Sequence, residues 1–345
     1  MTQLLDLSMD ELKKELEAMG EKGFRAGQVY AWLTACVPFL EMSNLSKPLR
    51  EKLTERFCEG YPEIAEHLCS SDGTQKFLLR LLDGSVVECV LMSYEYGRTL
   101  CVSTQAGCAM GCAFCASTRG GLLRNLTAGE ILGQVLRVNA TLGSGRNITN
   151  VVLMGTGEPL ANYDAVVKFL HLIHQKESLG MSMRNISLST CGLVPEIYRF
   201  MEEGLGATLC LSLHSAIQRK REEIMPIARK YPLEQVVEAM GAYSKRSGRR
   251  VIYEYILIAG FNDGKEDLDA LQALLSAQNC HINLIPCNDT DGRFAAPTKG
   301  QVYYFLAELT KRGLSATVRR TLGEDIEGAC GQLRARHMGL SGETE

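Results

Sequence analysis

The chain has 345 residues, 46% hydrophobic and 22% charged, with a formal net charge of −3. This is apolar material for a large core and a small satellite domain; no run of about 18 apolar residues occurs, which excludes a helical membrane span, and the charge excludes a surface that is basic throughout, so any nucleic-acid contact must be local. Thirteen cysteines, an odd number, follow a start (MTQLLDLSMDELKKELEAMG) that reads as an amphipathic helix and not a secretory signal; together they argue for a reducing, cytoplasmic setting and for metal binding or chemistry over a disulfide framework.

Residues 1–70 read as a small helical domain. Leu12, Leu16 and Met19 recur at helical spacing, as do Val29, Trp32 and Leu33, with Pro48 and Pro62 as punctuation. Its basic residues, among them Lys13, Lys14, Lys22, Arg25, Lys47, Arg50 and Lys52, suit phosphate contact or a solvated face equally. Residues 71–98 change character: TQKFLLRLLDG and SVVECVLMSY are strand-like and meet at Asp83-Gly84-Ser85, which predicts a connecting β-hairpin.

From 99 to 320 six apolar runs (LCVSTQ, NVVLMG, NISLST, ATLCLSLH, VIYEYILI and HINLIP) alternate with helical stretches such as TAGEILGQVLRVNATL and LEQVVEAMGAYSKR. The expected fold class is α/β: a partial (βα)6 barrel of TIM type, two units short of closure, with the helical domain and hairpin attached. Residues 321–345 form a Gly-rich tail carrying Cys330. Functional groups in such folds gather at the C-terminal ends of the strands.

The segment GCAMGCAFCAS follows the first of these strands and sets Cys108, Cys112 and Cys115 in C-x3-C-x2-C spacing. Structural zinc wants four ligands, usually in two pairs, and no second C-x2-C pair exists. Three thiolates on a [4Fe–4S] cluster leave one iron open for chemistry. Here the sequence resembles the radical-SAM superfamily. That resemblance implies that the open iron chelates the amino and carboxylate groups of S-adenosylmethionine (SAM), and that an electron from the cluster splits SAM to a 5′-deoxyadenosyl radical.

Further along, Met154-Gly155-Thr156-Gly157-Glu158-Pro159 ends the second strand; Gly157 allows close approach of backbone to a ligand, and Glu158 offers an acceptor for an ammonium group. Ser189 ends the third strand, Ser212, Leu213 and His214 end the fourth, and Asn288 follows the sixth. Singly each reads as a strand cap; together they trace a ligand rim.

The segments FRAGQVYAWL, VVECV, LCVSTQAGCAMGCAFCAS, RNLTAGEIL, MGTGEPLAN, LSLHS, MPIARKYP and EDIEGACGQL cover most of the chain. They resemble the RlmN/Cfr group of radical-SAM RNA methyltransferases, and within it the branch that methylates C2 of adenine in 23S ribosomal RNA and certain tRNAs. Carbon C2 lies between two ring nitrogens and has no lone pair to attack a sulfonium methyl, so polar transfer fails and a radical carrier is needed. The resemblance implies that Cys330 takes a methyl from one SAM and a second SAM supplies the radical that activates it. The carbon then adds to C2, Glu88 removes the C2 proton, and Cys101 attacks the sulfur of Cys330 to free the base. It also implies an external electron donor such as a flavodoxin, and a monomer. Departures from the family pattern fall at Thr156, Cys287 and Leu322. The pairs and triplets Arg219-Lys220-Arg221, Arg229-Lys230, Arg249-Arg250, Lys311-Arg312 and Arg319-Arg320 are candidate phosphate contacts or solvated helix ends. Three other readings stand beside this one: a C8-methylating enzyme of the same group, a radical-SAM enzyme acting on a small molecule or peptide, and an iron–sulfur electron carrier.

Overall fold

The computed structural model describes residues 1–143, 148–287, 293–320 and 322–326. Helices α1 (Met9–Ala18), α2 (Arg25–Thr34) and α3 (Lys47–Arg56) lie between two short parallel strands, β1 (Thr2–Gln3) and β2 (Phe57–Cys58). Helix α1 starts on a capping box in which Ser8 and Glu11 each bond the other's backbone N–H. It buries Met9, Leu12 and Leu16, the spacing expected of its inner face.

Next comes an antiparallel meander: β3 (Glu63–Cys69), β4 (Gln75–Arg80), β5 (Val86–Tyr94) and β6 (Gly97–Cys101). The predicted hairpin is β4–β5, and Gly84 turns it at φ +85°. Strand β3 carries little apolar alternation, with no buried residue along its length, and was not legible as a strand. Short β7 (Gln105–Gly107) and β8 (Leu122–Asn125) then pair antiparallel around the cysteine loop.

The remaining chain alternates: α4 (Ala128–Thr141), β9 (Ile148–Leu153), α5 (Tyr163–His174), β10 (Ile186–Thr190), α6 (Val194–Glu202), β11 (Thr208–Ser212), α7 (Gln218–Ile224), α8 (Leu233–Ser247), β12 (Val251–Leu257), α9 (Lys265–Leu275), β13 (Cys280–Pro286), α10 (Lys299–Lys311) and β14 (Ala316–Val318). The six expected barrel strands are β6 and β9 to β13, each parallel to its neighbour, and β14 extends the edge. The meander is not a separate layer. It joins the barrel through β6, giving one ten-stranded sheet in the order β14-β13-β12-β11-β10-β9-β6-β5-β4-β3.

Helix α4 is buried over almost its whole circumference because the N-terminal module covers its outer side. The Gly129 N–H donates to Asp6 Oδ1 at 2.6 Å, an anion at a helix N-terminus. A Cβ at Gly129 would lie 2.6 Å from the Asp6 backbone nitrogen, and one at Gly133 would lie 3.0 Å from Pro62 Cδ. A surface ion pair, Lys168–Glu11 at 3.0 Å, sits over the same junction.

Candidate active site

Strand register shows which residues share the inner face of the sheet. Cys101 pairs with Val90 on one side and with Val152 on the other. Glu88 is two residues from Val90, so it and Cys101 project to the same face. Val152 pairs with Ser187, two residues before Ser189; Ser189 pairs with Cys210, two before Ser212; and Ser212 pairs with Glu254. Glu88, Cys101, Ser189, Ser212 and Glu254 therefore lie along one continuous face. Glu88 is buried and ion-paired with buried Lys76 at 3.8 Å, and Cys101 is half-buried.

A cavity of about 240 Å3 opens at the C-terminal ends of the central strands. Cys108, Cys112 and Cys115 line it together with Gly157, Glu158, Ser189, Ser212, His214, Glu254 and Arg319. The cysteine loop is closed by the Cys108 N–H bond to Gly121 O (3.0 Å) and braced by the Ala113 N–H bond to Ile224 O (2.8 Å). Gly107 opens the loop at φ +81°, where a Cβ would lie 2.0 Å from Gly121 O. Burial pushes the Cys108 and Cys112 thiols up, and for Cys112 the neighbouring Cys115 and Cys108 add to it. Thiols that oppose one another's ionisation are those a cationic centre stabilises together. Among the described residues no three of His, Cys, Asp and Glu gather tightly enough for a single metal ion. A cubane instead takes one thiolate on each of three irons. The donor set fits a three-cysteine [4Fe–4S] cluster with SAM beside it.

The rest of the lining supplies polar groups already held in place. Glu158 accepts from the Cys191 N–H (2.7 Å) and the Leu160 N–H (3.1 Å), while burial raises its carboxyl. Gly157 adopts φ +112°, and a Cβ there would meet Gln105 Cβ at 2.7 Å. Gly157→Ala is expected to lower unfolding free energy by about 1–3 kcal/mol and to weaken SAM binding, as checked by urea denaturation and equilibrium dialysis. The Ser189 hydroxyl donates to Glu254 Oε2 at 2.7 Å.

His214 sits at φ +56°, with its ring edge-on to Phe114 at 4.6 Å. Its Nδ1 accepts the Ile256 N–H at 3.0 Å, so the neutral ring carries its proton on Nε2, a donor on the cavity wall. Burial, with Arg221 nearby, pushes its pKa down to about 3. Between that value and the ordinary one near 6.5 the unfolded chain binds the proton and the folded chain does not, so stability falls as pH falls through this window. His214→Asn keeps an acceptor in a left-handed position. It should flatten that slope by up to about 1.4 kcal/mol per pH unit, measured by chemical denaturation from pH 7 to 4.

Leu213 is fully buried and turns away from the wall, lending its backbone: its N–H donates to Glu254 O at 3.0 Å. Asn288 and Cys330 lie outside the described residues. The start of the tail is fixed on the β3–β4 turn. Ser70 Oγ donates to Asp325 Oδ1 (2.5 Å), the Ser71 N–H to Asp325 Oδ2 (3.0 Å), and the Gly323 N–H to Asp72 Oδ2 (2.8 Å). The bonds from Gly323 and Thr74 hold the Asp72 carboxyl down at about 2.

Several of the basic residues read as phosphate contacts or solvated helix ends are committed elsewhere. Arg221 is fully buried, Lys220 binds Asp267 at 2.8 Å, Arg249 bonds Gly206 O and Thr208 Oγ1, and Arg312 pairs with Glu308 and Asp269. Arg219, Arg229 and Arg320 remain exposed. Sequence reasoning missed Glu254, for which the signal was one acid inside the apolar run VIYEYILI. It also gave no signal for Cys191, which lines the cavity.

Known proteins match this arrangement. The family model of the radical SAM superfamily covers residues 102–272, and that of the ribosomal RNA large subunit methyltransferase N-terminal domain covers residues 2–58. A protein of Clostridium perfringens named "Probable dual-specificity RNA methyltransferase RlmN" is 48% identical over 99% of both chains. One of the same name from Clostridium beijerinckii is 46% identical over 98% of this chain and 96% of its own. The crystal structure of a radical SAM methyltransferase from Sphaerobacter thermophilus superposes with a TM-score of 0.93 at 39% identity, covering 96% of this chain and 99% of that one. With the three-cysteine cavity, the shared fold and near full-length identity in agreement, the chain belongs to the RlmN family of radical-SAM RNA methyltransferases.

Proposed function

We propose that this chain methylates C2 of adenine in 23S ribosomal RNA and in certain tRNAs through a methylcysteine on the protein and a transient protein–RNA adduct. The observation that carries the reading is the shared inner face of Glu88 and Cys101, continuous with the cavity wall of Ser189, Ser212 and Glu254. The family name of the relatives supports RNA as substrate.

In this reading Cys108, Cys112 and Cys115 hold the cluster, and Gly157, Glu158, Ser189, Ser212, His214 and Asn288 cradle SAM. Together cluster and SAM supply an electron and a radical that removes hydrogen. Cys330 carries the methyl carbon as a thioether, which makes it available as a carbon radical where polar transfer to C2 fails. Glu88 takes the C2 proton, and burial away from water suits a carboxylate to that work. Lys76 beside it holds the side chain in place. The radical formed on addition gives up one electron, for which the cluster would be the acceptor. Cys101 then attacks the Cys330 sulfur, the carbon–sulfur bond breaks, and the freed carbon takes a proton to become the methyl group. The disulfide left behind is reduced by an outside thiol. The target adenine leaves its stack to reach the cavity mouth, the chain acts as a monomer, and the electron comes from a flavodoxin-type donor.

The test is reaction of anaerobically reconstituted protein with methyl-labelled SAM and fragments of 23S RNA or tRNA, followed by nucleoside analysis. 2-Methyladenosine is the expected product. 8-Methyladenosine, or label that never reaches RNA, would overturn the assignment.

A further inference from the structure

Arg221 sits on α7 in QRKREEI, a run that reads as a surface basic cluster, yet its side chain is fully buried. A guanidinium in a protein interior keeps its charge, and its five N–H donors all need acceptors. Nε donates to Leu213 O at 3.2 Å, and Nη2 to Cys191 O at 2.7 Å and Ser212 O at 3.3 Å. Nη1 is buried with no hydrogen-bond partner. The Cys191 whose carbonyl it holds lines the same cavity as Cys112. The end of the same helix braces the cysteine loop. Ile224 O takes the Ala113 N–H at 2.8 Å, and a Cβ at Gly111 would lie 3.4 Å from Pro226 Cγ. A buried cation with an unused donor, on a helix whose end braces the cysteine loop, is stabilised by any negative charge that loop comes to carry.

We propose that Arg221 is the fixed counter-charge of the iron–sulfur centre, with Nη1–H as a hydrogen-bond donor to sulfur on the Cys112 side, and that it raises the reduction potential of the cluster. The inference rests on Cys108, Cys112 and Cys115 as the ligands. It does not depend on the RNA atom methylated. Reduction adds one electron and so one negative charge to a centre already held by thiolates. A cation fixed nearby in a low-dielectric wall stabilises the reduced form over the oxidised one. Arg221 is thus a positioning and electrostatic residue that need not touch the reacting carbon.

The test is an EPR-monitored redox titration, without RNA, of wild type, Arg221→Lys and Arg221→Met, with iron and sulfide content and circular dichroism measured on each. At the wild-type midpoint the Met variant should show a reduced-to-oxidised ratio at least tenfold lower, a shift of about 59 mV for a one-electron couple. The Lys variant should keep most of the wild-type value. A Met variant with an intact cluster and the wild-type midpoint would overturn the proposal, as would a Lys variant shifted as far as Met; Arg221 would then only tie together three carbonyls. Wild type that binds no cluster would instead overturn the ligand assignment beneath it. Should the Met variant not fold, wild type grown with 15N-guanidino arginine decides the matter. Pulsed ENDOR of the reduced cluster should show a 15N coupling that disappears in Arg221→Lys, and its absence in wild type would refute the contact.

Discussion

Cys112→Ala protein is expected to come out of anaerobic reconstitution colourless, with iron and acid-labile sulfide near background, and to release no 5′-deoxyadenosine from SAM. Cys112 is the middle one of the three cysteines that line the cavity and are proposed to hold the cluster, its thiol pushed up by burial and by the two neighbouring cysteines. Without it two thiolates remain, too few to hold a cubane whose fourth iron is left for SAM. The loss should reach at least about 10^3-fold in SAM cleavage, the scale seen when a group that acts as part of a unit is removed. A purely structural cysteine behaves differently, because Cys→Ala in a packed wall costs about a methyl group's worth of contact, about 1 kcal/mol. Cys191→Ala supplies the matched control: Cys191 lines the same cavity and is buried, and its variant should retain iron. Equal iron loss in both variants would remove the ligand assignment.

The second large effect is expected at Cys101. Cys101→Ala should stop turnover by at least about 10^3-fold while accumulating a covalent protein–RNA species, visible as a shifted labelled band on a denaturing gel. A thiolate attacking the Cys330 sulfur is the step that would separate protein from base, so removing it leaves the adduct standing. The double variant Cys101→Ala with Cys330→Ala should show no such band, since the carbon carrier is gone. Cys101 is half-buried at the end of β6, on the same face as Glu88. As core filler its loss would leave turnover within a few-fold of wild type and yield no adduct, and that outcome would withdraw its role.

Much of the molecule was legible in the chain itself, and the exceptions share a cause. The six barrel strands are apolar runs ended by turn residues, and the cysteine triplet is local spacing; both are read within a window of about ten residues. Strand β3 escaped because an edge strand with one partner keeps only intermediate and exposed positions and shows no alternation. Glu254 escaped because its meaning depends on Ser189, which donates to it from 65 residues away along the chain. Arg221 was misread for a similar reason. QRKREEI looks solvated by composition, and only the fold turns its fourth residue inward onto the carbonyls of Cys191, Ser212 and Leu213. The kinship of Glu88 and Cys101 is likewise a matter of strand register, which no single segment encodes.

The two glycines on α4 where the segments flanking the leading helices sit down have an implication for dissecting the protein. At Gly129 the backbone of Leu5 and Asp6 approaches so closely that a methyl group has nowhere to go, and at Gly133, one helical turn on, Pro62 and Gly60 leave little room for one. Cutting the chain near residue 60 would strip that cover and leave apolar positions of a central helix facing water. The shortened protein should clump, so its failure to modify RNA would say nothing about where RNA binds. Point changes at exposed lysines of the leading module, such as Lys14 on α1 or Lys22 in the loop before α2, are the way to ask that question, because they leave the seam intact.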